Sequence, residues 1–259
     1  MVVTGASSGI GAAAARRLAH RGATVIPVGR SKEATAAIAA EVGAEPLTAD
    51  FARLSEVSAL AGRILDRCRA IDVLAHNAGL LAGERRLTED GHELTWQVNH
   101  LAPFLLQHLL HDRLAASGAR VVVTSSLGHW AGRIRLDDLD REKRGYSGFA
   151  AYADSKLANV LFAREIARRT PRTGITAVVF HPGTVASALG RDTGGAVRPT
   201  PDARCAGSPP AVEDDVDRRR RGCRTDAAAG HDRRPAQRQR PVLQPAAAGR
   251  GHVEARPRR

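Results

Sequence analysis

The feature that most constrains this chain is a glycine-rich turn set between a short apolar run and an alanine-rich stretch. Met1-Val2-Val3-Thr4 has the character of a strand, and G-A-S-S-G-I-G follows at residues 5–11. Residues 12–21 carry strong helix formers, and Gly22 is a natural helix stop. Glycines in such a turn let the backbone come close to a pyrophosphate, while the helix N-terminus offers unpaired N–H groups and a positive dipole end. The spacing is G-x3-G-x-G and not the commoner G-x-G-x-x-G, so an ordinary tight turn is the competing reading.

The alternation that starts here continues. Strands are expected at residues 23–28 (with Pro27 weakening the end), 45–48, 71–75, 120–124 and 175–180. Helices are expected at residues 32–42, 55–69, 94–114 and 152–169, the third as one long element. Strands separated by helices make a parallel α/β sheet with helices on both faces. Right-handed crossovers then give a doubly wound, Rossmann-like architecture.

That architecture accounts for only part of the 259 residues. All nine aromatic residues lie at or before Phe180, and the last isoleucine is Ile175. Residues 197–259 hold 15 arginines against 8 acids, and such a segment buries too little apolar surface to offset its ordering entropy. The expected division is a globular domain at residues 1–195 and a disordered Arg/Pro/Ala-rich tail at 196–259. Residues 218–221 are four consecutive arginines that could neutralise phosphates. Nucleic-acid binding is therefore a second function class, weakened by the absence of interleaved aromatics or a recognisable module. Cys68, Cys205 and Cys223 suit neither a disulfide framework nor a zinc site. No run of about 18 apolar residues and no signal segment is present, which makes a cytoplasmic location the expectation.

Two further places carry chemistry. Arg30 falls where the second strand should end. An acid there suits the ribose of NAD, an arginine the 2′-phosphate of NADP, so NADP is the expected cofactor and NAD the alternative. Tyr152 and Lys156 are an i, i+4 pair on one helix face. An ammonium beside a phenol favours the phenolate, which would bring the tyrosine nearer to useful acid–base range. Only two tyrosines and three lysines exist in the chain, so their pairing is informative. Ser125 and Ser126 sit at a strand carboxyl end, where this architecture binds ligands.

Together these residues resemble the short-chain dehydrogenase/reductase family. The matching pieces are TGASSGIG at residues 4–11, Asp50, NAG at 77–79, Asn99 in WQVNHLAPF, Ser125–Ser126, YADSK at 152–156 and HPGTV at 181–185. SSLGHWAGRIRLDDL and YADSKLANVLFAREIARR are closest to the retinol-dehydrogenase-like branch. The resemblance implies Tyr152 as general acid/base and Lys156 as its modulator and a ribose ligand. It implies Ser126 as holder of the substrate oxygen, and Asn99 as anchor of a water that connects Lys156 to solvent. Gly5, Ser8, Gly9, Ile10 and Gly11 would cradle the pyrophosphate side of NADP, and Asp50 would reach the adenine. Asn77, Ala78 and Gly79 would flank the adenosine ribose, and Pro182, Gly183 and Val185 would meet the carboxamide. The implied partner is a small, apolar alcohol, aldehyde or ketone, and association into a homo-oligomer through the long helices is implied too.

Two departures stand beside the likeness. The first strand begins at Met1, where the family carries about ten more residues. After residue 195 the family's substrate cover, further helix and last sheet strand give way to proline- and arginine-rich sequence, so the last strand is expected to be missing. Synonymous codons for residues 237–245 (QRQRPVLQP), read one nucleotide later, can encode Ser-Val-Asn-Gly-Gln-Tyr-Phe-Asn, a terminal strand in the family's style. A frameshift near residues 195–205 is the expected origin, and an impaired family member is the alternative to an active oxidoreductase. Rereading the DNA there tests it.

Overall fold

The computed structural model describes residues 1–183, all within one compact unit, Met1–Pro201. The tail at 196–259, the arginine run at 218–221, the expected loss of the last strand and Val185 lie outside the described residues.

Six strands form one parallel sheet in the order β3-β2-β1-β4-β5-β6. They are β1 (Val2–Thr4), β2 (Ile26–Gly29), β3 (Leu47–Thr48), β4 (Val73–His76), β5 (Arg120–Thr124) and β6 (Thr176–Phe180). The helices between them are α1 (Gly9–His20), α2 (Lys32–Glu41), α3 (Leu54–Arg67), α4 (Leu94–Trp96), α5 (Ala102–Leu109), α6 (His111–Ala116) and α7 (Gly148–Arg169).

Short as it is, β1 holds the centre, pairing with Ile26, Pro27 and Val28 on one side and with Leu74 and Ala75 on the other. Its alternation assigns the two faces. Val2 joins the larger core with Leu60, Ile64, Leu74, Leu106, Leu114, Val121 and Phe162. Val3 joins the smaller one with Ala12, Ala15, Val25 and Ile38. Each fully buried Leu or Ile there contributes about 1.5–3 kcal/mol. Pro27 is tolerated because β3 pairs with β2 only from Val28 onward, so its missing N–H faces no ladder partner.

The single helix expected at residues 94–114 is broken. α4 opens on Glu93, whose carboxylate accepts from the N–H groups of Thr95 and Trp96. A π-turn at Gln97–Leu101 follows, and a second break at Leu110 separates α5 from α6. Pro103 supplies the local cause: it has no N–H for the Asn99 carbonyl, its α-helical partner. The π-turn is closed instead by the Ala102 N–H on the Gln97 carbonyl.

On β6, Ala177 and Val179 pack on the larger core, whereas Val178 and Phe180 face the other side and are 45% and 41% exposed. Among the described residues β6 pairs only with β5, and it forms the open edge of the sheet.

Candidate active site

The strand ends bring the candidate residues to one edge of the sheet. Gly5–Gly11 follows β1, Arg30 follows β2, Asp50 follows β3, Asn77–Gly79 follows β4, Ser125–Ser126 follows β5, and Pro182 and Gly183 follow β6. β1 is flanked by β2 and β4, so the glycine turn lies at the topological switch point, where open parallel sheets bind ligands.

The turn is built by close backbone approach. Gly5 has φ +65° and lies against Ala78, and a Cβ on Gly11 would stand 2.3 Å from the Gly5 carbonyl oxygen. Only glycine fits either place. Ser8 takes the N-cap position of α1 without a capping side-chain bond, and the first turn of α1 carries no acid. The positive end of the helix therefore faces outward uncompensated. Asn77 donates from Nδ2 to the carbonyls of Thr4 (3.1 Å) and Gly5 (3.4 Å), tying the turn after β4 to the turn after β1. Thr4, buried and unassigned from sequence, completes this link: its hydroxyl donates to Ala75 and accepts from the N–H groups of Asn77 and Ala78.

Arg30 is exposed just beyond β2, and Ser31 caps α2 beside it. Asp50 spends one carboxylate oxygen on the Ala52 N–H at 2.9 Å.

Opposite the glycine turn, α7 presents Tyr152 and Lys156 one helical turn apart, 8% and 3% exposed. A short 3-10 helix, Leu127–Ala131, opens on Ser126 and lies across α7. A Cβ on Gly128 would be 3.7 Å from the Tyr152 ring and 3.6 Å from Ser126 Oγ, so serine and phenol share one small space. Lys156 Nζ donates to the Thr124 carbonyl at 3.2 Å and stands 5.5 Å from the Tyr152 ring centroid. Asn99, fully buried in the π-turn, accepts from the Leu80 N–H and donates to the Leu80 carbonyl and to Ser155 Oγ. Gly79 brings the β4 turn alongside, where a Cβ would meet Asn99 Oδ1 at 3.1 Å and Lys156 Nζ at 3.4 Å.

One expectation is corrected. The ammonium was expected to lower the phenol's pKa, yet the Tyr152 phenol lies above its usual value. Burial pushes it up, and the opposing influence is the hydrogen bond to Ser126. Lys156 is itself pushed down to about 8 by burial, with no carboxylate among the described residues to support its charge. Desolvation thus outweighs the mutual effect of the pair in the free protein. Sequence reasoning also missed Ser155, Thr124 and Asn159, whose Nδ2 donates at 3.3 Å to the same Thr124 carbonyl that accepts from Lys156. Their signal is weak, because polar residues beside a Tyr–Lys pair look like any solvated helix face until the sheet buries them.

A parallel sheet with Ser126, Tyr152 and Lys156 gathered at its carboxyl edge is the fold of a Rossmann-like dehydrogenase. The short chain dehydrogenase family matches residues 1–196, and the chain belongs to it. Human retinol dehydrogenase 13 is 41% identical over 202 residues, covering 75% of this chain and 61% of that protein. A Streptomyces sp. (strain C5) protein assigned as a daunorubicin C-13 ketoreductase is 46% identical over 199 residues, covering 74% and 68%. The chain thus spans about two thirds of the length of these curated relatives. Among solved structures, a short-chain dehydrogenase from Sphingobium yanoikuyae in complex with NADPH is 26% identical. It superposes with a TM-score of 0.61, covering 74% of each chain. Among the described residues of this chain no helix is long and apolar enough to cross a membrane.

Proposed function

We propose that this chain transfers a hydride between NADP(H) and an apolar alcohol–carbonyl pair, with Tyr152 moving the proton. The observation that carries the reading is the convergence of Ser126, Tyr152 and Lys156 beside a glycine turn whose helix end is free of acids. The residues fit a dinucleotide. Lys156 makes one hydrogen bond among the described residues, which leaves two N–H donors for ribose hydroxyls. Gly5, Ser8, Gly9, Ile10 and Gly11 would hold the pyrophosphate, Arg30 the 2′-phosphate and Asp50 the adenine. Asn77, Ala78 and Gly79 would flank the ribose, and Pro182, Gly183 and Val185 the carboxamide. When bound, the nicotinamide supplies or accepts the hydride.

Ser126 orients the substrate oxygen toward Tyr152. In reduction, the Tyr152 O–H gives its proton to that oxygen, and the Lys156 ammonium and Ser126 stabilise the phenolate left behind. Its raised pKa keeps the phenol protonated at neutral pH, the state that reduction requires. Asn99 holds the turn after β4 against α7, and its main-chain carbonyl, which Pro103 cannot meet with an N–H, would anchor a water linking Lys156 to solvent.

The test is a fluorescence titration of the purified chain with NADPH and with NADH. Saturable binding that favours NADPH by roughly tenfold or more is expected, with the preference lost in Arg30→Ala, since one charged contact is worth about 1.5–3 kcal/mol. No binding of either nucleotide by folded protein would sink the reading. Retinol with NADP and daunorubicin with NADPH are the first substrates to try, given the relatives' names.

A second reading, a family member impaired at its C-terminus, is favoured by β6, which among the described residues ends the sheet and leaves Val178 and Phe180 exposed. Unpaired apolar edges invite association. The chain as written is expected to unfold at low temperature, to aggregate and to turn over slowly. A soluble protein with a cooperative transition and rapid turnover would contradict it.

A further inference from the structure

We infer that Asp154, inside the Tyr152–Lys156 pair, is a positioning residue that clamps the segment carrying Ser126 to the helix carrying Tyr152. Two residues from each partner, it lies about 160–200° around the α7 axis from them, facing away from the reacting groups. It is 4% exposed, and both carboxylate oxygens are engaged. Oδ1 accepts from the Arg133 N–H at 2.6 Å, and Oδ2 accepts from Arg141 (2.6 Å) and Arg144 (2.9 Å).

Those three partners lie on the strap at residues 126–144. Ser126 stands at its start, where its Oγ and the Tyr152 ring border the same small space beside Gly128. Midway, Gly132 rests on α7 so closely that a Cβ would meet the Ala153 carbonyl oxygen at 2.6 Å. Beyond it, Arg144 donates to the carbonyls of Arg133 (3.1 Å) and Asp138 (3.3 Å), folding the strap back on itself. Arg141 holds φ +51°, the left-handed region that a side chain avoids, so its backbone persists because its surroundings hold it. The strap thus meets α7 on the reacting face, where Ser125 beside Ser126 donates to the Lys156 carbonyl at 2.8 Å, and is clamped on the opposite face by Asp154.

Charge explains why the second fastening matters. The side chains of Arg141 and Arg144 are 7% and 20% exposed, and among the described residues Asp154 and Asp138 are the carboxylates paired with them. Neutralising Asp154 leaves Arg141 buried with no anionic partner and beside another cation. A buried pair broken from one side is strongly destabilising locally. The strap should lift, and Ser126 with it.

The inference rests on reading Ser126 and Tyr152 as the reacting pair, but its test needs no nucleotide. A failure to bind NADPH would therefore count against the function alone. In the full chain, Asp154→Asn keeps the volume and an acceptor for Arg133 and removes the charge. Amide hydrogen exchange at Gly128, His129 and Arg133 is expected to quicken by roughly tenfold or more, while β1, β4 and β5 keep their rates. The Tyr152 ionisation, followed by ultraviolet absorbance, should move to higher pH as the Ser126 hydrogen bond is lost. Both proteins carry Tyr146→Phe for this reading, because Tyr146, itself pushed up to about 12, is the other tyrosine of the chain. Should Asp154→Asn fail to fold, Arg144→Gln, which spares the Arg141–Asp154 pair, should shift both readouts in the same direction by less. Exchange that quickens equally throughout the sheet, or a strap and a phenol titration that do not change, overturns the inference.

Discussion

Tyr152→Phe is expected to lower the hydride-transfer rate by about 10²–10⁴-fold, the usual worth of a positioned general acid. NADPH affinity should stay close to that of the parent chain. The substitution removes one oxygen and nothing else. The phenol is buried, and its hydrogen bond is to Ser126, so the fold loses about 1 kcal/mol at most. Without the O–H, charge developing on the substrate oxygen has Ser126 to donate to it but no acid to neutralise it. Single-turnover measurements with enzyme in excess register slow chemistry and suit a chain whose turnover is expected to be low. In the parent chain, reduction should hold steady through neutral pH and fall above about pH 8, first as the Lys156 ammonium is lost and then as the phenol ionises. A Phe variant that keeps more than half of the rate would place the proton donor elsewhere.

The second large effect concerns stability in acid. His76, on β4, is 3% exposed, packs 6.0 Å from the Phe162 ring centroid and reaches Gln107 at 3.5 Å. Its Nδ1 has no hydrogen-bond partner among the described residues, and burial lowers its pKa from 6.5 to about 4. The unfolded imidazole takes up a proton below pH 6.5, whereas the folded one stays neutral until about pH 4. The unfolded state therefore binds more protons in that window. Stability is fully present above pH 6.5 and is lost as pH falls toward 4, by about 3 kcal/mol from this group. Urea unfolding between pH 7.5 and 4.5 should show that loss in the parent chain and much less in His76→Leu. His100, also pushed down by burial, acts in the same direction and is present in both proteins. Matching pH profiles would show that His76 does not drive the acid transition.

The outcome on helix 94–114 shows where sequence reading stops. Its apolar periodicity is real, and Leu106, Leu110 and Leu114 are all fully buried. Periodicity reports which face is buried, not whether the hydrogen-bond ladder is continuous. The break follows from Pro103, legible in the sequence, together with Asn99 binding Leu80 and Ser155, which is not. Helix 55–69 ran two residues long for a similar reason: Cys68 turns extended to lead toward β4. The glycine turn, by contrast, was legible because its demand is local. Positive φ at Gly5 and the closeness of Gly11 admit glycine alone whatever surrounds them.

Taken alone, the sequence determined the order of strands and helices, the parallel sheet and the one-turn spacing of Tyr152 and Lys156. Each of these follows from residues a few positions apart. The tertiary structure decided the direction of the Tyr152 shift, the neutral state of His76 and the use of Asp154 as a clamp on the strap. Burial and charge act through space, and the groups that set them come from β4, β5, α5 and the loop before α7. No short window of sequence contains them.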